Sequence, residues 1–257
     1  MNVNEKNEVR EAAKDGLKRA EENWAKVGHL IKSSVVLDGF GMEARASTES
    51  YIPGHPYIEE GRPAVDEFVA LMVDIRKSSD RLNSLQRFPG LKDGFHRIYY
   101  ETSALLPAIA QTALQKEGHV TEYLGDGVLV LFKVDTTDRV KTVRRAYQAA
   151  ANCVDVTRSI VNEILFERFG LPPIHIGAGL SMSQALVTLV GIPGNMQPKA
   201  IGHCVWEASK LSDGYNKVHV AQALREVWPS VKGGNLRFKQ LPESLKHNVK
   251  GFSVTEI

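Results

Sequence analysis

Apolar side chains at Val9, Ala13, Leu17, Ala20, Trp24, Val27 and Ile31 recur three or four positions apart and form one narrow stripe between Lys, Arg and Glu. That spacing predicts an N-terminal amphipathic helix. Two uses of the stripe stand open: docking on the rest of its own chain, or a near-heptad seam that helps pair two subunits. Gly16 and Gly28 weaken the segment as a free-standing helix. Residues 33–66 contain Gly39, Gly41, Pro53, Gly54, Pro56, Gly61 and Pro63, and read as turns around short strands at 34–37 and near Tyr51. The run FVALMVDI (68–75) is apolar on both faces and ends in an acid, which predicts a covered central strand.

Further along, 94–117 has helical spacing with Phe95, Ile98, Leu105, Ile109 and Leu114 on one side, and Gly118 is the expected stop. Segments 119–123 and 128–132 flank Gly125-Asp126-Gly127, a hairpin signature. A long helix is expected over 137–169, ended by Pro172 and Pro173, then strands at 174–180 and 185–190. A helix at 203–214, a strand at 218–220, a helix at 221–227 and strands at 238–241 and 252–257 complete the pattern. Helices mixed with hairpins predict an α+β fold: a mixed sheet covered by helices, and not a parallel barrel. No repeat or low-complexity tract divides the chain. The expected organisation is a helical extension over 1–33 and one domain over 34–257.

Composition adds limits. The 257 residues are 43% apolar and 24% charged, with a formal net charge of +2, as in ordinary globular proteins. A balance so near zero argues against bulk nucleic-acid binding. Two cysteines, Cys153 and Cys204, are too few for a disulfide framework and suit a reducing cytoplasm. No run of about 18 apolar residues predicts a membrane span. The charged N-terminus lacks the apolar segment of a signal peptide.

The chemistry centres on two acids. Asp74 ends the apolar strand and Asp126 sits in the turn of a hairpin that can lie beside it. Carboxylates on neighbouring strand ends can share divalent ions that flank a phosphoryl displacement. Equally, Asp74 can cap the next helix and Asp126 can simply make its turn.

The wording around the acids bears on that choice. FVALMVDIRKSS followed by VTEYLGDGVLVLF resembles the class III nucleotidyl cyclases, and so do IHIGAGLSMSQALVTLVG, IGHCVWEASKL and LKHNVKGFSVTEI downstream. The resemblance covers about 66–257. It implies a cyclase-like, ferredoxin-like core and cyclisation of a ribonucleoside triphosphate with loss of pyrophosphate. It further implies two Mn²⁺ or Mg²⁺ ions held by Asp74, Asp126 and the backbone carbonyl of Ile75, and a site shared between the subunits of a homodimer. The loop Arg76-Lys77-Ser78-Ser79 precedes a helix, so Ser78 and Ser79 are candidates for cradling phosphate, alongside ordinary capping.

By the same resemblance Glu122 and Lys199 fall on the base-reading positions, and Trp206 and Lys210 on those of a ribose-binding Asn and a transition-state Arg. Lys supplies a point charge without the guanidinium fork, and Trp offers a single N–H donor. Trp206 is therefore either a core residue or a bulky wall that suits a pyrimidine. Neither purine pattern is matched. Chain length, the helical extension and these substitutions resemble the Pycsar anti-phage cyclases, nearest the uridylate cyclases. Tyr51 is the candidate base-contacting ring, or else an interface or core tyrosine.

The expected activity is UTP to cyclic UMP in the cytoplasm. The product would act on a separate cyclic-nucleotide-sensing effector, with no nucleic acid and no membrane insertion. Alternatives are a CTP, GTP or ATP cyclase, or a degenerate cyclase fold that binds nucleotide without turnover.

Overall fold

A computed structural model describes residues 1–28, 47–229, 234–242 and 249–256. The strand expected at 34–37 and the helical position of Ile31 lie outside these residues. The helices are α1 (Val3–Val27), α2 (Ser78–Leu82), α3 (Gly94–Leu114), α4 (Arg139–Asn152), α5 (Arg158–Phe169), α6 (His203–Leu211) and α7 (Gln222–Val227). The strands are β1 (Ser47–Glu49), β2 (Tyr57–Glu59), β3 (Ala64–Ile75), β4 (His119–Leu124), β5 (Gly127–Lys133), β6 (Ile176–Ile192), β7 (Asn195–Gly202), β8 (Lys217–Ala221), β9 (Leu236–Gln240) and β10 (Gly251–Glu256).

Among the described residues, β3 to β10 form one sheet in the order β4–β5–β3–β6–β8–β10–β9, with β7 also on β6. The β6–β8 pair is parallel and the others are antiparallel. The apolar run of β3 is buried on both faces, as expected of a covered strand. Val69, Leu71, Val73 and Ile75 belong to the core that includes α1, α3, α4 and α5. Phe68, Ala70 and Met72 join Ile52, Ile58, Leu129, Leu131 and Ala208 in a smaller core on the other face, beneath α6 and the β1–β2 hairpin. By alternation, Asp74 continues this second face.

A capping box starts α1: Asn2 Oδ1 accepts from the Glu5 N–H at 2.9 Å and Glu5 Oε2 accepts from the Asn2 N–H at 2.7 Å. Its stripe Val9, Ala13, Leu17 and Ala20 is fully buried in its own chain, packed on α3 and α5. Trp24 stacks on His96 with ring centroids 3.8 Å apart. These positions of the stripe are thus covered intramolecularly. Gly16 lies at the α1–α3 crossing, where an added Cβ would stand 2.0 Å from the Ser103 carbonyl oxygen. The close helix approach, more than helix propensity, explains this glycine.

Several expectations are corrected. The strands foreseen at 174–180 and 185–190 are one strand, β6, because Ser181 and Ser183 find partners in α6: Ser181 donates to Glu207 at 2.6 Å and Ser183 accepts the Cys204 N–H at 2.8 Å. β7 was not foreseen, since Pro198 argues against a strand interior, although Pro193-Gly194 (Gly194 φ 86°) announced its hairpin. On α3, Phe95 and Leu114 are exposed, while His96, Arg97, Glu101 and Thr112 are buried. Glu117 (φ 64°), and not Gly118, takes the left-handed turn after α3. Gly118 instead makes room for Phe132, whose ring would stand 2.5 Å from an added Cβ. The helix expected over 137–169 carries a π-helical turn at Cys153–Thr157, where Thr157 and Thr112 hydroxyls bond at 2.6 Å. Gly170 in the left-handed region ends it before the prolines.

Gly16→Ala is expected to destabilise the chain by about 1–3 kcal/mol, since the overpacking outweighs the helix-propensity gain. Urea unfolding monitored by circular dichroism checks this; an unchanged or raised midpoint would contradict the tight crossing.

Candidate active site

Asp74 stands at the end of β3 opposite Gly127 of β5 and Gly177 of β6. The first glycine gives the carboxylate its space: a Cβ on Gly127 would approach Asp74 Oδ1 to 3.0 Å. Asp126 occupies the two-residue turn between β4 and β5, with Gly125 in the left-handed region (φ 70°) as the tight turn requires. The turn is tied to β3, because the Ile75 N–H donates to the Asp126 carbonyl at 3.3 Å. Asp126 therefore has a fixed backbone place beside Asp74. Asp74 does not cap the next helix, since α2 starts after Lys77, in the left-handed region, without any side-chain cap; Asp126 does make its hairpin turn.

Burial, and then the Asp126 charge, push the Asp74 carboxyl up to about 6, with the Arg76 guanidinium pulling the other way. Arg76 Nη1 lies 3.0 Å from Asp74 Oδ2 and donates to the Ser212 carbonyl at 3.3 Å. Gly177 and Gly179 permit the end of α6 to lie against the sheet here. A Cβ on either would meet the backbone oxygen of Ser212 at 2.0 Å or of Ala208 at 2.1 Å.

Two cavities flank this region. One, about 260 Å³, is lined by Arg76, Lys77, Arg81, Arg97 and His175, among others. Its arginines are held from below: Glu101, fully buried, accepts from Arg81 and Arg97 at 2.8 Å each. Asp80 also lines the hollow, so Arg76, Lys77, Arg81 and Arg97 outnumber the carboxylates of Asp80 and Glu101 and leave it net positive, suited to phosphate. The other, about 430 Å³, is lined by Tyr51, Ile52, Glu122, Tyr123, Pro198 and Lys199, among others. Lys199 Nζ and Glu122 Oε2 form an ion pair across it at 2.7 Å.

No family model and no curated protein sequence matches the chain. Solved structures do. A guanylyl cyclase matches with TM-score 0.60 at 18% identity, over 76% of this chain and 94% of its own. The adenylyl cyclase CyaB from P. aeruginosa matches with TM-score 0.61 at 15% identity, over 76% and 97%. The guanylate cyclase domain of RhGC from Catenaria anguillulae, solved in complex with GTP, matches with TM-score 0.54 at 15% identity, over 76% and 99%. This chain has the nucleotidyl cyclase fold.

Within that fold the expected site residues divide into groups. Asp74, Ile75 and Asp126 come together, and Ser78 and Ser79 open α2 next to the cationic hollow. Tyr51, Glu122 and Lys199, far apart in sequence, line the second cavity together, which neither acid lines. Trp206 is 46% exposed on α6 and outside that lining, so it is not a core residue. Lys210 lies in the last turn of α6, the end that touches Arg76 through Ser212. Arg97 lines the hollow, whereas Arg139 pairs with Glu67 at 2.9 Å. Arg81 and His175 were missed; nothing in their local spacing marks them, since α3 and the approach to β6 bring them in. Cys153 is fully buried, with its thiol pushed up to about 12, and carries no nucleophilic chemistry.

No cluster of three or more His, Cys, Asp or Glu side chains stands at metal-ligating spacing among the described residues. Two carboxylates and a carbonyl nevertheless fit a hard cation whose remaining ligands are water and phosphate oxygens. Mutual repulsion of the acids is the state that such a cation relieves.

The raised Asp74 value has a stability consequence with a definite sign. Its folded value lies above the ordinary 3.8, so ionisation costs more in the fold than in the unfolded chain. Metal-free stability is therefore expected to fall as pH rises from about 4 to about 6 and to level off above, by up to about 3 kcal/mol. Asp74→Asn should flatten that slope, and thermal melts in chelator from pH 4 to 8 check it.

Proposed function

We propose that the chain is a metal-dependent nucleotidyl cyclase that converts UTP to 3′,5′-cyclic UMP and pyrophosphate. The observation that carries this reading is the pair Asp74–Asp126, held at the end of β3 and in the adjoining hairpin turn, beside a net-positive hollow. In the reaction the ribose 3′-oxygen bonds to the α-phosphorus as its hydroxyl proton passes to solvent water. The bond from that phosphorus to the bridging oxygen breaks, and pyrophosphate departs with the electron pair. Mg²⁺ or Mn²⁺ held by Asp74, Asp126 and the Ile75 carbonyl would acidify the attacking hydroxyl and neutralise the leaving group. The cations of the hollow, with the backbone at Ser78 and Ser79, take the departing phosphates. Lys210 supplies a further positive charge from α6.

The Tyr51 cavity supports base selection. Lys199 offers a donor and Glu122 an acceptor side by side, which complements the alternating carbonyl and N–H edge of uracil. Guanine presents a similar edge, so GTP is the second substrate that this pair favours. Since neither acid lines the cavity, we assign the complete site to a homodimer, with the base cavity of one subunit serving the acids of the other. The proposed role is generation of a second messenger for a separate sensing effector in antiviral defence, on the resemblance of the sequence. The replacement of the family's Asn and Arg by Trp206 and Lys210 supports a second reading, a nucleotide-binding module without turnover.

Incubation with each of four labelled triphosphates in Mn²⁺ or Mg²⁺ tests the proposal. Cyclic UMP should dominate, and Asp74→Ala or Asp126→Ala should lower it about a thousandfold, the loss of several kcal/mol of charge stabilisation. Full activity in both variants sinks the metal assignment, and tight nucleotide binding with no product favours the binding module. A second set of assays, on Lys199→Ala and Glu122→Ala, should raise KM for UTP and flatten the preference among bases. An unchanged preference removes the cavity from base selection.

A further inference from the structure

Arg76 stands at a crossing of two environments. Its guanidinium Nη1 is 3.0 Å from Asp74 Oδ2, and among the described residues no other cation is within ion-pair distance of that carboxylate. The same side chain lines the cationic hollow with Lys77, Arg81 and Arg97. Its backbone is pinned, because the Arg76 N–H donates to the His175 carbonyl at 2.7 Å. Beyond Asp74, Nη1 bonds to the Ser212 carbonyl at 3.3 Å, a weak partner. Rotation of the side chain alone therefore moves its charge between the acid and the hollow.

We propose that Arg76 is a resident counter-ion for Asp74 that yields to a divalent ion and then serves as a phosphate-binding residue. This inference rests on the metal assignment under the proposed function and adds its regulation. In the resting chain the guanidinium offsets the repulsion between Asp74 and Asp126. A divalent ion cannot share Asp74 Oδ2 with it at that distance without strong like-charge repulsion. Metal entry therefore displaces Arg76 towards the hollow, where Lys77, Arg81 and Arg97 already outnumber the carboxylates of Asp80 and Glu101. That position is unfavourable until phosphate arrives. Metal and polyphosphate consequently favour each other's binding, and the metal alone is held weakly. Such reciprocal coupling commonly amounts to fivefold or more in affinity.

The test uses Mn²⁺ alone, titrated into the full chain without nucleotide, with free Mn²⁺ read by electron paramagnetic resonance. Arg76→Gln should bind Mn²⁺ at least about fivefold more tightly than the wild type. Arg76→Lys, which keeps the charge, should remain close to the wild type. Without metal, Arg76→Gln should melt below the wild type and gain a larger upward shift on adding Mn²⁺. Near-ultraviolet circular dichroism verifies that each variant is folded. If Arg76→Gln binds Mn²⁺ no more tightly than the wild type while Asp74→Asn abolishes binding, the counter-ion role is wrong and the metal assignment stands. If Asp74→Asn binds as the wild type does, or no variant binds, both fail together.

Discussion

The structure depends on one strand held from both sides. β3 pairs with β5 along seven residues and with β6 along twelve, so that its last carboxylate is aimed by two continuous ladders. A strand in that position is buried on both faces, and its Val, Leu, Phe and Met side chains each contribute about 1.5–3 kcal/mol when fully covered. The backbone that carries the acid at its end is consequently held on both sides. Gly127 opposite it opens the space that the carboxylate fills, and Gly177 on the other side admits the end of α6.

From this follows the electrostatic character of the site. Burial, and then the Asp126 charge fixed beside it, raise the cost of ionising Asp74 in the absence of a counter-charge. The fold answers with Arg76, from the residue but one after Asp74, and with a hollow of arginines held in place by the buried Glu101. The cations near the acids belong to the loop, to α2 and to α3, so each is set by packing that also stabilises the domain. The even global charge of +2 is no obstacle to a polyanion, since positive charge is concentrated where phosphate would sit.

Legibility followed locality. The Asp74 strand, the Asp126 hairpin and the long helix were readable because each is a short-range pattern of alternation, turn chemistry or period. The single strand β6 was misread as two because its serines look like a break until α6 supplies their partners. The inner face of α3 was misjudged because Arg97 and Glu101 neutralise each other when buried, which period alone does not reveal. Trp206 and Leu114 were weighed as core residues by type, yet both are exposed.

The sequence by itself determined the strand that ends at Asp74, the hairpin that turns at Asp126 and the α+β class, because each element is written in a pattern of neighbouring residues. Tertiary structure alone decided that Tyr51, Glu122 and Lys199 share one cavity. It also decided that Arg81, Arg97 and His175 close around the loop after Asp74, and that Val9, Ala13, Leu17 and Ala20 of the α1 stripe are covered within their own chain. Those placements depend on how β7 curls from β6 towards β4 and on how α1 and α3 cross at Gly16. Such long-range contacts are set by packing complementarity between distant segments, and no local period or motif encodes them.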